Sequence, residues 1–145
     1  MVINFTIVKT LFYFIPFFLL VSCKQKISET ELQFLNGYWE IEKVILPNGE
    51  TKDYKINETI EFFELKDKIG FRQKLMPQLD GTYLTNNLQE KLELLNVDGV
   101  TMLQYQTDYA SWKEEIISVS KEKLVLKNEQ NLEYHYKKPV AFTIK

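Results

Sequence analysis

The chain has 145 residues, 45% of them hydrophobic and 26% charged, with a formal net charge of −2. This is the balance of one ordinary globular domain. Mild acidity without a basic run leaves no electrostatic footprint for nucleic acid and none for anionic lipid headgroups. The single cysteine, Cys23, rules out an internal disulfide and a cysteine-based metal site.

Residues 1–22 read as an export signal. Lys9 is the only early charge, and Leu11 to Val21 is an apolar run broken only by Pro16. A spanning helix needs roughly 20 apolar residues, so this run fits a cleaved signal better than a membrane anchor. Its loss takes Lys9 with it and moves the formal charge from −2 to −3. The run ends in Leu20-Val21-Ser22-Cys23, which resembles the lipobox of bacterial lipoproteins. The resemblance implies that the Cys23 thiol takes up diacylglycerol, that the signal is cut before it, and that fatty acyl chains such as palmitate hold the mature protein to a membrane of the bacterial envelope. Lys24 follows, where an inner-membrane retention signal would place Asp, so the resemblance implies the outer membrane and leaves the leaflet open. Residues 23–28 are then a lipidated polar tether, and residues 29–145 the domain.

Ser28 and Glu31 have the spacing of a capping box, with Ile27 and Leu32 at the positions of a hydrophobic staple. Gly37 suits the end of that helix. The pattern predicts one to two helical turns with Leu32 and Leu35 on one face. Tyr38 to Leu46 reads as the first strand, ended by Pro47-Asn48-Gly49. Glu58 to Leu65, Ile69 to Met76, Thr82 to Asn86, Lys91 to Val97 and Val100 to Thr107 follow. Trp112 to Val119, Lys123 to Asn128 and Glu133 to Lys138 complete nine short strands separated by polar turns. Such spacing predicts an all-β, antiparallel up-and-down barrel of eight to nine strands behind a short helical turn. Alternation groups Trp39 with Ile41, Ile60 with Phe62, Leu92 with Leu94, Leu103 with Tyr105, Leu124 with Leu126, and Tyr134 with Tyr136 as inward pairs. A slip of one residue would reverse any of them.

Leu35-Asn36-Gly37-Tyr38-Trp39-Glu40-Ile41 resembles the opening of lipocalins, a short helical turn, Gly-x-Trp, then the first strand. With the Pro-Asn-Gly turn and the lipobox, the chain resembles the small lipocalin-like lipoproteins of Bacteroidetes-type bacteria. The resemblance implies an eight-stranded barrel with Trp39 at its closed end. Lipocalins usually stack an Arg on that Trp from near the end of the barrel. The only Arg here is Arg72, far earlier, so Lys137 or Lys138 stands in that position, and the long helix after the barrel is missing.

Few residues suggest chemistry. His135 is the only histidine, too few for a zinc site, and alternation puts it opposite Tyr134 and Tyr136. The adjacent Glu114 and Glu115 fall on opposite faces of a strand, unlike a catalytic carboxylate pair. Asp80-Gly81 and Asp98-Gly99 are turn chemistry. Ser118 and Ser120 have no evident base, and no glycine loop suits phosphate. Tyr105, Tyr109 and Trp112 cluster around a longer loop at a barrel mouth. The expectation is a non-enzymatic, cofactor-free protein, anchored in the membrane by Cys23, that binds a small hydrophobic or amphipathic ligand. The candidate barrel-lining or mouth residues are Trp39, Ile41, Phe62, Leu103, Tyr105, Trp112, Tyr134 and Tyr136. The alternative is a solidly packed barrel that serves as a structural or interaction module for another envelope protein.

Overall fold

The computed structural model describes residues 26–140, so the export signal, Cys23 and Lys24 lie outside the described residues. The capping box forms as expected. Glu31 donates its backbone N–H to Ser28 Oγ at 3.3 Å, and Ser28 N–H donates back to Glu31 Oε2 at 2.8 Å, starting helix α1 (Glu29–Leu32). A 3₁₀ turn, Gln33–Leu35, follows. Ile27 and Leu35 are buried and plug one end of the molecule. The Leu35 carbonyl accepts the Trp39 indole N–H at 2.7 Å.

Nine antiparallel strands make up the rest: β1 (Gly37–Ile45), β2 (Thr51–Asp53), β3 (Ile60–Lys66), β4 (Ile69–Pro77), β5 (Tyr83–Val97), β6 (Val100–Gln106), β7 (Ser111–Val119), β8 (Lys123–Asn128) and β9 (Glu133–Lys137). From β3 to β9 each strand pairs with the next, and β1 pairs with β3 on one edge and β9 on the other. Eight strands therefore close into an up-and-down, lipocalin-like barrel, which leaves that ring without a free edge. The ninth, β2, pairs with the far half of β1.

Two strand expectations need correction. Thr82 to Asn86 and Lys91 to Val97 are parts of one strand, β5. Between the pairs Gln73↔Gln89 and Leu75↔Thr85 the two strands shift register. Asn87 takes a φ of 59°, and Thr85 Oγ1 and Asn86 Oδ1 accept the N–H groups of Asn87 and Leu88. The polar stretch that reads as a loop is a bulge, whose freed backbone groups are satisfied by its own side chains. The short, exposed β2 has no apolar pattern to reveal it and forms because the Pro47-Asn48-Gly49 turn folds it back on β1.

Tight hairpins set the register. Asp67-Lys68 and Asp98-Gly99 each place two successive residues at positive φ, the mirror-image turn that matches strand twist. Gly70, just after the first of these, has no room for a side chain. A Cβ there would lie 1.7 Å from the Glu64 carbonyl oxygen.

The half of the barrel next to α1 is packed solid. Trp39, Phe63, Leu92, Leu103, Leu124 and Leu126 are all at most 1% exposed. Lys138 Nζ lies 3.6 Å from the Trp39 ring centre and 3.4 Å from the Asn36 carbonyl, which fills the place of the expected stacking Arg. Partial burial pulls the Lys138 pKa below its ordinary value. Five of the six expected inward pairs face the interior. Ile60 and Phe62 do not. Phe62 pairs with Tyr38 across β1–β3 and packs on its ring at 4.9 Å outside the barrel. Phe63 turns inward in its place and is fully buried. In the run Phe62-Phe63 either ring satisfies the pattern, and the register against β1 decides.

Substituting Gly70→Ala is expected to cost about 1–3 kcal/mol of stability through overpacking against backbone, measured as a lowered denaturation midpoint with an unchanged slope.

Candidate functional site

Beyond the packed layer, towards the turns at Thr107–Ala110 and Glu129–Leu132, the interior becomes charged. Arg72 points inward from β4 and is 7% exposed. It stands opposite Glu90 of β5, which accepts its Nε–H. Its Nη1 lies 3.5 Å from Glu61 Oε2 of β3 and 3.8 Å from Glu114 Oε2 of β7. The guanidinium sits 4.3 Å from the Tyr105 ring centre, and Tyr105 stacks on Trp112 at 5.3 Å. A planar, weakly hydrated guanidinium tolerates this site because aromatic faces and carboxylates together replace its water.

Desolvation by itself would lower the Arg72 pKa, but the surrounding carboxylates outweigh it and hold the guanidinium protonated. Burial pushes the Glu114 carboxyl above its ordinary value, with Arg72 opposing the shift. Burial likewise drives the Tyr105 and Tyr136 phenols well above the usual range, so both stay neutral. Three carboxylates share one guanidinium, so the cluster carries an excess of acid. Tyr105 Oη and Glu114 Oε2, both shielded from solvent, have no hydrogen-bond partner.

Two clefts open at this end, on either side of Arg72 and Lys74. One, of about 320 Å³, has Glu61 and Glu114 among its floor residues and Trp112, Tyr134 and Tyr136 among its walls. The other, of about 400 Å³, runs past Glu90 to Asp108 and Tyr109. A third hollow of about 690 Å³ lies outside the barrel, where the β4–β5 hairpin meets the start of β1, with Tyr38, Ile60, Leu79 and Tyr83 in its lining. Among the described residues, no group of three or more His, Cys, Asp or Glu side chains can hold a metal ion.

The eight candidate lining residues separate accordingly. Trp39 and Leu103 are consumed by the packed core, and Ile41 packs against it. Tyr105 underlies Arg72, while Trp112, Tyr134 and Tyr136 line the smaller cleft. Phe62 is outside. Tyr109 is 97% exposed and does not join Tyr105 and Trp112. His135 faces away from the two tyrosines, 3.4 Å from Glu133. The charged floor of Arg72, Glu61, Glu90 and Glu114 is absent from the expected set. Period-two alternation running Gly70, Arg72, Lys74 was its one sequence signal, and charged residues in alternation ordinarily read as a solvated face.

No protein-family model matches the chain, and no curated protein matches it. Among solved structures, a lipocalin-like protein from Bacteroides uniformis is similar, with 9% sequence identity and a TM-score of 0.46, over 73% of this chain and 99% of that one.

Removing the guanidinium strands three buried or half-buried carboxylates. Arg72→Met is expected to cost about 3–5 kcal/mol at pH 7, with part of the loss recovered in acid as the carboxylates protonate, read from denaturation midpoints across pH. Glu114→Gln has a different signature. A carboxyl whose folded pKa is raised favours the folded state below its ordinary value of 4.5 and loses that contribution as pH rises through the folded pKa. Wild type is therefore expected to lose stability relative to Glu114→Gln as pH climbs above 4.5, and the gap levels off once Glu114 is ionised in the folded state. Wild type gaining stability relative to Glu114→Gln as pH rises would contradict this account.

Proposed function

We propose that this protein is a lipid-anchored component of the bacterial envelope that binds a small amphipathic ligand at the open mouth of its barrel, without catalysis. The observation that carries this reading is the 320 Å³ cleft, with aromatic walls and a charged floor that includes the buried Glu114 carboxyl, held by a long 3.8 Å ion pair to Arg72. Ligand sites combine apolar walls with a few well-placed polar groups in this way. The filled half of the barrel supports a ligand seated in the mouth rather than along the axis. It also supports a molecule with a polar end rather than a wholly apolar one.

Anchoring rests on Leu20-Val21-Ser22-Cys23 at the end of the apolar run Leu11 to Val21. Two or more acyl chains give stable membrane attachment where a single chain is marginal. A tether over residues 23–28 reaches about 20 Å when extended, so the domain works near the bilayer. Lys24 favours the outer membrane. Mass spectrometry of the mature protein is expected to show a diacylglyceryl modification at Cys23, and Cys23→Ala to release the protein from the membrane fraction. An unmodified Cys23 in a membrane-free protein would overturn the anchoring. For the ligand, native mass spectrometry after exposure to an envelope extract is expected to show a small bound species that Trp112→Ala weakens.

A second reading takes support from the filled axis and from the apolar hollow outside the barrel: a packed module that meets another envelope protein. It predicts a specific cross-linked partner in intact cells together with an empty mouth.

A further inference from the structure

Accepting the anchor at Cys23, the short chain between it and the domain sets which part of the domain meets the bilayer. We infer that the flank of the barrel beside its plugged end, bearing Ile56, Leu79 and Val140, rests on the lipid surface, so that the mouth opens away from the membrane into the aqueous phase. This rests on the lipid-anchored reading above and adds a docking surface and its partner, the bilayer itself.

Three observations carry it. The first is reach. Ile27 is buried in one cluster with Leu35 and Trp39, so the free tether ends at Ile27. From Cys23 to Ile27 the chain extends at most about 14 Å. Strand β6 alone runs seven residues, Val100–Gln106, which is about 20 Å from the plugged end to the mouth turn at Thr107–Ala110. The anchor therefore enters the bilayer beside the plug and falls short of the mouth. The second observation is the surface found there. Ile56, Leu79 and Val140 are 88%, 75% and 81% exposed. They come from three separate segments and border one hollow, together with Tyr38 and Tyr83, whose rings stack. Gly37 and Lys138 continue that hollow to the plug, where Lys138 meets the Asn36 carbonyl and the Trp39 ring. Aliphatic tips over tyrosine rings, with lysines at the rim, suit the interface of a bilayer. The far flank differs: outside β5 to β8 the register sets Glu93 against Gln104 and Glu115 against Lys127, groups that stay in water. Third, the lining of the hollow is balanced in charge, Lys55 and Lys138 against Glu40 and Glu58, so contact draws on apolar burial and not on anionic headgroups. A short tether presents the bilayer at an effective concentration of about millimolar. A small apolar patch suffices for contact under that condition.

The test uses the protein purified in detergent from expressing cells and reconstituted into two kinds of vesicle, phosphatidylcholine and phosphatidylcholine brominated on its acyl chains. Bromine quenches tryptophan emission at short range. Native Trp39 is buried and Trp112 borders the mouth, so wild type supplies the background. Leu79→Trp and Ile56→Trp replace highly exposed side chains and leave the fold intact. In each, the added emission is expected to fall by at least about half in brominated vesicles, as for a side chain seated about 5–10 Å into the headgroup and acyl boundary. The loss should be the same at low and high salt. Asp108→Trp, at the mouth turn, is expected to stay unquenched. Ile56→Ser combined with Val140→Ser is expected to weaken the quenching of Leu79→Trp several-fold. Quenching at Asp108→Trp equal to that at Leu79→Trp overturns the inference. So does an unquenched Leu79→Trp, the result expected if another protein, a second copy or residues 141–145 cover the hollow. Either result leaves the anchoring standing where mass spectrometry finds the diacylglyceryl group. An unmodified Cys23 overturns the anchoring separately. Coupling its free thiol to a maleimide-bearing lipid then supplies the same tether, and the same quenching decides the docking.

Discussion

Arg72 is the constraint around which the upper half of this barrel is arranged. A guanidinium at 7% exposure is tolerable only if its solvation is replaced, and four strands contribute to that replacement. Glu61 comes from β3, Glu90 from β5, Tyr105 from β6 and Glu114 from β7. These groups are far apart in sequence and meet only when the sheet closes. Polar clusters of this kind, once satisfied, favour one arrangement of strands, because a slip in register would strand several charges at once.

The two halves of the interior do different work. Next to α1, Trp39 is the centre. Its indole N–H is taken by the Leu35 carbonyl and its ring is covered by Lys138, so the helical plug, the first strand and the segment just after the last strand are joined on one side chain. That half supplies the apolar burial on which stability depends. The other half uses charge and aromatic surface, and is less completely compensated, as Glu114 Oε2 and Tyr105 Oη demonstrate. The barrel is thus packed solid at one end and open and charged at the other.

Much of the architecture is legible along the chain. The capping box at Ser28 and Glu31, the Gly37-Tyr38-Trp39 opening and the Asp98-Gly99 turn are local signals, and each acts over a few residues. Expectations fail where the deciding partner is distant. Thr85 to Leu88 has the composition of a loop, but its pairing with β4 on both sides makes it a bulge within a long strand. Phe62 and Phe63 are chemically equivalent neighbours, and only the register against β1 tells which is buried.

The candidate site divides in the same way. Trp112, Tyr134 and Tyr136 stand out by aromaticity and alternation and do line the mouth. Arg72, Glu61, Glu90 and Glu114 do not stand out, because a charged residue on a strand ordinarily faces water and nothing beside it in sequence announces a buried partner. By itself, the sequence determined what depends on near neighbours: the helical plug, the turns, the strand rhythm and the closed antiparallel class. Tertiary structure alone decided which faces turn inward and that one guanidinium would gather three carboxylates from separate strands. The reason is physical. Turns and caps are made by residues a few positions apart, whereas the burial of a charge is set by the groups that barrel closure brings around it.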